Sequence, residues 1–361
     1  MRVPRPRGAA GKVAGLVGAA VGVAAAGLAA GVVSERVLVR RLKNDPADRY
    51  AHEVFGQQRH DEAYRLEMPD GTDIHVEVVE PTRPVAGHPT VVLVHGFCLD
   101  MGTFHFQRKM LAERGDYRVV AYDQPGHGRS GRLESGEYDL TALGRTLRRV
   151  LDEVAPEGPL VLVGHSMGGM TIMALAELYP ELFGDRVVGT VLMATSGGLA
   201  AETKLVAPAL LGRAGAPVLY MMSNATRYGG TVIDRARRST SNVAWLLTRR
   251  YGFGTPRPSP ALVSYVEAMN SRTSADTVTR YLRTLATHSR FPALAALAGT
   301  PVLVIVGDKD MITPVTHSEE IVRRLPEAEF VKIPDSGHVL MLEHADEVNA
   351  ALERFLEAVC R

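Results

Sequence analysis

The stretch that most restricts what this chain can fold into is Pro159 to Met170, PLVLVGHSMGGM. It opens with a short apolar run, Leu160 to Val163, of the length and β-branched character of one buried strand. It breaks at Gly164-His165-Ser166-Met167-Gly168 and continues from Gly169 as a helix-forming run. Strand, sharp turn and helix around G-x-S-x-G is a signature for a serine held at a strained turn, proud of a sheet. Glycine two positions either side removes the Cβ atoms that would collide where strand and helix come this close.

The rest of the chain repeats the strand half of that pattern. Glu67 to Glu80, EMPDGTDIHVEVVE, predicts two strands around an Asp70-Gly71 turn. Further strands are predicted at Thr90–Val94, Tyr117–Tyr122, Val187–Ala194, Pro301–Val306 and Glu329–Ile333, with helices at Thr141–Val154, His317–Arg324 and Glu347–Val359. From about Leu199 to Arg290 the pattern is helical without strong strands. Apolar strands alternating with helices predict an α/β fold with a mostly parallel sheet and helices on both faces. The polar motifs follow the strands directly: His95-Gly96-Phe97, Asp123-Gln-Pro-Gly-His-Gly-Arg-Ser, Gly307-Asp-Lys-Asp and Pro334-Asp-Ser-Gly-His. Open α/β sheets bind their ligands at those strand ends.

Near-balanced charge and 46% hydrophobic residues argue against a disordered or nucleic-acid-binding chain. The two cysteines, Cys98 and Cys360, make no disulfide framework. The chain shows no internal repeat and no zinc-type Cys/His spacing, and no metal or cofactor is expected.

The first 43 residues read as a separate segment. A basic start (Arg2, Arg5, Arg7, Lys12) precedes 21 uncharged residues, Val13 to Val33, and four more cations follow by Lys43. The uncharged run is long enough to span a bilayer, and its glycines repeat G-x-x-x-G, although Ala and Gly outnumber Val and Leu. A membrane anchor, a signal peptide and a soluble or peripheral helix all remain open. Equal basic flanks give no orientation.

A serine nucleophile needs a base, an orienter for the base and donors for an oxyanion. Acids follow the strand at 302–306 and His338 follows the last strand, which gives the chain order Ser, Asp, His. With VVLVHGF, YDQPGHGRS, LVGHSMGG, VLVIVGDKDMITP and DSGHVLMLE in this order, the sequence from about residue 65 to 359 resembles the α/β-hydrolase superfamily. The resemblance implies an α/β-hydrolase fold with an inserted helical cap. Its divisions would be the N-terminal segment 1–43, core 44–198, cap 199–290 and core 291–361. It implies Ser166 as nucleophile, His338 as general base and Asp310 as orienting acid, with Asp308 as the rival acid. It further implies the backbone amides of Phe97 and Met167 as oxyanion donors.

Other polar residues near these motifs read as structural. His95 orders its own loop, His127 belongs to a Gly-rich turn, His165 packs beside the elbow and His344 lies at the surface. Cys98 flanks the oxyanion loop, and nothing in the sequence pairs it with a base. A serine excludes the relatives that carry aspartate at the elbow. GHSMGG resembles esterase- and monoacylglycerol-lipase-like members, so a carboxylic ester, small or lipid-like, is the expected substrate. A C–C hydrolase or cofactor-free perhydrolase on the same triad stays open, as does a non-catalytic binding protein of this fold.

Charge is unevenly placed. Residues 199–290 hold 13 Lys/Arg against 4 Asp/Glu, and residues 1–43 hold 8 against 1. The two basic segments would suit an anionic bilayer; the alternative is that each is only a solvated face. The apolar cap residues Leu210, Leu211, Leu219, Tyr220, Met221, Met222, Trp245, Leu246 and Leu247 would suit an acyl chain or form the cap's own core.

Overall fold

The computed structural model describes residues 39–198 and 241–361. The candidate span 13–33 and cap residues 210–222 lie outside them. Among the described residues no helix is long and apolar enough to cross a membrane. Residues 49–361 form one compact unit, and those before Arg49 belong to another.

Eight strands make one sheet in the order β1-β2-β4-β3-β5-β6-β7-β8. They are β1 Glu62–Glu67, β2 Asp73–Val79, β3 Thr90–Val94, β4 Val119–Tyr122, β5 Leu160–His165, β6 Val187–Met193, β7 Val302–Gly307 and β8 Glu329–Ile333. β2 pairs antiparallel with β1 and β4, and the other pairings are parallel. Continuous apolar runs such as TVVLV in β3 and VLVIVG in β7 are buried along their whole length. A parallel sheet covered on both faces requires that pattern.

Helices α1 (His105–Arg114) and α8 (Ala345–Val359) pack against each other. α8 also covers β6, where Phe355 and Val359 lie over Gly189. Helices α2 (Leu140–Val154), α3 (Met167–Leu178) and α7 (Val315–Arg324) join a core with Val92, Val94, Leu162, Leu192 and Val304. Between β6 and β7 the chain forms α4 (Ser241–Gly252), α5 (Pro260–Arg272) and α6 (Ala275–Leu285). Asp139, Ser259 and Ser274 cap α2, α5 and α6 with side-chain acceptors.

Two differences from the sequence reading have physical causes. The first strand of the N-terminal hairpin begins at Glu62 and is exposed along most of its length, so no buried alternation marks its start. The sequence reading assigns no helix between β3 and β4, yet α1 is there. Its buried face is polar: His105, Gln107 and Arg108 beside Leu111. Each polar group has a distant partner, so no apolar period is visible. His105 Nε2 pairs with Glu53 (2.8 Å), and Gln107 Nε2 donates to the Met341 carbonyl (3.1 Å).

Arg108 is the costliest of these. Its Nη2 donates to Glu77 Oε2 (2.7 Å) on β2, and the Glu77 Oε1 accepts from Arg129 Nη2 (2.8 Å). Burial pushes the Glu77 carboxyl pKa up, but His75 and Arg108 pull harder and hold it at about 2. A depressed carboxyl contributes stability that is full above its ordinary 4.5 and is lost as the pH falls toward 2. Glu77→Ala leaves Arg108 buried without its charge partner and should cost about 3–5 kcal/mol at pH 7. Urea unfolding measures this, and a loss below about 1 kcal/mol would mean that water reaches and solvates the guanidinium.

Candidate active site

The chain leaves β3 for β4 on one side and returns to β5 on the other, so the crevice between these strands opens at their carboxyl ends. Among the described residues, the non-glycine positions with left-handed φ are Cys98, Ser166, Ala194 and Asp335. They follow β3, β5, β6 and β8 respectively. Backbone strain is thus gathered past the carboxyl ends of the strands, and functional sites tend to hold such strain.

Ser166 has φ 53° and ψ −117°, between the last residue of β5 and the first of α3. The flanking glycines are required by contact. A Cβ on Gly168 would run into the Val94 carbonyl, and one on Gly164 would lie 2.6 Å from the Gly169 nitrogen. The strained serine is therefore fixed by its neighbours on the adjacent strand and on its own helix.

The structure brings Ser166, His338 and Asp310 together. Asp310 Oδ2 accepts from His338 Nδ1 at 2.9 Å. That bond puts the imidazole proton on Nδ1 and leaves Nε2 as an acceptor, 3.0 Å from Ser166 Oγ. Asp310 is itself held in place. Its Oδ1 accepts from the amides of Ile312 (2.8 Å) and Thr313 (3.0 Å), and the Thr313 hydroxyl lies 2.9 Å from Oδ2. The same hydroxyl lies 2.8 Å from the Ala194 carbonyl, so it links the acid loop to the end of β6. Asp308 points elsewhere, with Oδ2 3.4 Å from Lys309 Nζ.

Met167 opens α3, where an amide has no intrahelical acceptor. The Gly96-Phe97 loop lies against the elbow: a Cβ on Gly96 would sit 3.1 Å from Ser166 Cβ. The Phe97 ring meets His127 and Tyr281 edge-on, at 6.1 and 6.3 Å between centroids. Tyr281, on α6, donates to the Pro125 carbonyl (3.1 Å) and packs with Met167 and Met170. Helix α6 therefore forms a wall beside the elbow. Trp245 is buried but donates from Nε1 to Ser264 Oγ (2.9 Å), so it packs α4 against α5.

The other histidines that flank the motifs take no part in the Ser166–His338–Asp310 contact. His95 Nε2 accepts from the Gln124 amide (2.8 Å), and its Nδ1 donates to the Gly96 carbonyl (2.8 Å). Burial lowers the His127 pKa to about 3, so this ring is neutral at pH 7. His165 is pushed well down by burial, and its Nε2 donates to the His338 carbonyl (2.9 Å). His344 is partly exposed and stays outside the cluster, with Nε2 3.3 Å from the Asp335 carbonyl. Among the described residues no group of three or more His, Cys, Asp or Glu is placed to hold a metal ion.

The sequence reading missed Thr313 and the bonding role of His165. Thr313 is marked only by lying three residues past Asp310, the spacing at which its amide can cap that carboxylate. His165 carries no signal of its own, because its acceptor is 173 positions away.

The sequence model described as "Alpha/beta hydrolase family" matches residues 91–351. The chain is 31% identical over 279 residues to the dihydrolipoyllysine-residue acetyltransferase component of the acetoin cleaving system of Pseudomonas putida. That match covers 75% of this chain and 64% of the relative, so the chain spans under two thirds of that protein's length. It is 26% identical over 274 residues to the sn-1-specific diacylglycerol lipase ABHD11 of Mus musculus, covering 74% of this chain and 81% of the relative. Among solved structures, an esterase from Thermogutta terrifontis superposes with a TM-score of 0.63 at 24% identity. It covers 83% of this chain and 100% of the other, and at that identity the likeness is one of fold.

Proposed function

The chain belongs to the alpha/beta hydrolase family, and from that premise we propose that it is a serine hydrolase that cleaves a carboxylic ester through an acyl-enzyme intermediate. The observation that carries this reading is the single imidazole of His338, 3.0 Å from Ser166 Oγ and 2.9 Å from Asp310 Oδ2. Ser166 Oγ attacks the ester carbonyl while His338 Nε2 takes its proton. Asp310 holds the Nδ1–H tautomer and stabilises the imidazolium. The amides of Phe97 and Met167 donate to the oxyanion. The tetrahedral intermediate collapses, the C–O bond breaks, and His338 returns its proton to the departing alcohol. A water then attacks the acyl group by the same route, releasing the acid and restoring Ser166.

In this reading α4, α5 and α6 belong to a cap spanning 199–290, between core segments 44–198 and 291–361. Tyr281 and Phe97 then line the approach to the nucleophile. The diacylglycerol-lipase name of the mouse relative supports an ester, and a lipid-derived one, as substrate. The test combines a fluorophosphonate probe with p-nitrophenyl esters of rising acyl length. Labelling of Ser166 with turnover of at least one ester is expected. Labelling without any turnover would move the assignment to a C–C hydrolase, a perhydrolase or a binding protein. No labelling would remove the nucleophile assignment itself.

A further inference from the structure

One carboxylate outside the triad joins the loop of His338 to the inserted helices. Glu343 ends the single helical turn Leu340–Glu343, five residues after His338, and is half-buried. Its Oε2 accepts from the amide of Gly337 at 2.6 Å, directly before the histidine. Its Oε1 accepts from the amides of Gly254 (2.9 Å) and Thr255 (2.8 Å), just past the end of α4. The Gly254 amide also lies 3.1 Å from Oε2.

The two segments that Glu343 joins are in backbone contact. A Cβ on Gly337 would sit 2.5 Å from the Phe253 carbonyl carbon and 2.6 Å from the Gly254 nitrogen. On the other side of the histidine, the Val339 amide donates to the Gly252 carbonyl at 3.0 Å. Both neighbours of His338 are therefore bonded to the chain around 252–255, one through Glu343 and one directly. The His338 carbonyl in turn accepts from His165, beside the nucleophile. The imidazole reaches Ser166 only if this loop stays where it is.

We propose, on the reading of Ser166, His338 and Asp310 given above, that Glu343 is a positioning residue: it clamps the His338 loop to the stem of α4, so that the seat of the inserted helices sets the reach of the base. The carboxylate is needed because it presents acceptors at both ends. In Glu343→Gln one oxygen becomes an NH₂ group, a donor that faces either Gly337 N–H or the Gly254 and Thr255 N–H groups. One end of the clamp must then open. A displacement of about 1 Å at a reacting group can cost on the order of 100-fold in rate.

The test is E343Q in the full chain. Active sites are counted by fluorophosphonate titration, and hydrogen exchange is followed at 336–339 and 252–255. We expect kcat per titrated site to fall by about 10- to 100-fold, KM to change little, and exchange protection to drop in both segments together. A wild-type kcat per titrated site, or protection kept in either segment, would overturn the clamp. Should E343Q not fold, E343D carries the same test. It keeps the charge but is one methylene too short to span both loops, so a wild-type kcat per site in E343D overturns the proposal equally. Failure of the ester-hydrolase reading would look different. It would appear in the wild type as absent labelling or turnover, whereas the exchange result does not depend on turnover.

Discussion

Ser166→Ala is expected to lower kcat on the best p-nitrophenyl ester by on the order of 10⁶-fold, to the limit of detection. The substitution removes the Oγ that, in the proposed mechanism, bonds to the acyl carbon. The fold should survive it. The Ser166 amide still donates to the Met193 carbonyl (2.9 Å), and its carbonyl still accepts from Thr195 Oγ1 (2.6 Å). The left-handed φ is no harder for alanine than for serine. His338→Ala should do about as much damage, and the double variant little more than either, because triad members act as a unit. The measurement is kcat with thermal unfolding on the same samples. A folded Ser166→Ala protein that keeps a tenth of wild-type kcat would end the assignment of Ser166 as nucleophile.

Asp310→Asn should cost about 10⁴-fold in kcat, the loss that follows when the triad histidine is held in the wrong tautomer. Here the structure fixes which way the asparagine must point. The amides of Ile312 and Thr313 face Oδ1, so the carbonyl oxygen takes that position. The NH₂ group is left facing His338 Nδ1, which must then accept, and the imidazole proton moves to Nε2, toward Ser166. A histidine in that state cannot take the serine proton. Thr313 can turn its hydroxyl proton to the Ala194 carbonyl, so the loop stays satisfied and the loss is one of chemistry. Asp308→Asn, with its carboxylate beside Lys309, should have little effect on kcat. The opposite ranking would transfer the acid's role to Asp308.

The two expectations differ in how far each could be read from the chain. Ser166 was legible locally. Its strand, its strained turn and the two glycines all lie within a dozen residues, and the sterics that demand glycine act between near neighbours of the fold. The α/β class and most strand positions were legible for the same reason. A strand buried on both faces has to be apolar throughout, as TVVLV and VLVIVG are. Helix α1 escaped because its buried face is paired through Glu53, Glu77 and Met341 rather than packed through hydrocarbon.

What the sequence by itself determined, then, is the local backbone: strands, elbow, and the chain order of a serine, an acid and a histidine. Only the tertiary structure decided which groups meet. Asp310 rather than Asp308 faces His338 because the turn after β7 folds its carboxylate back onto the Ile312 and Thr313 amides. His165 and Glu343 bond to the backbone of the His338 loop, although nothing in their own neighbourhoods marks them. The physical reason is range. Steric and hydrogen-bond preferences of the backbone act over a few residues and leave a pattern in the sequence. The contact between Ser166 and His338 closes a loop of 172 residues, and its geometry is set by the packing of every strand and helix in between.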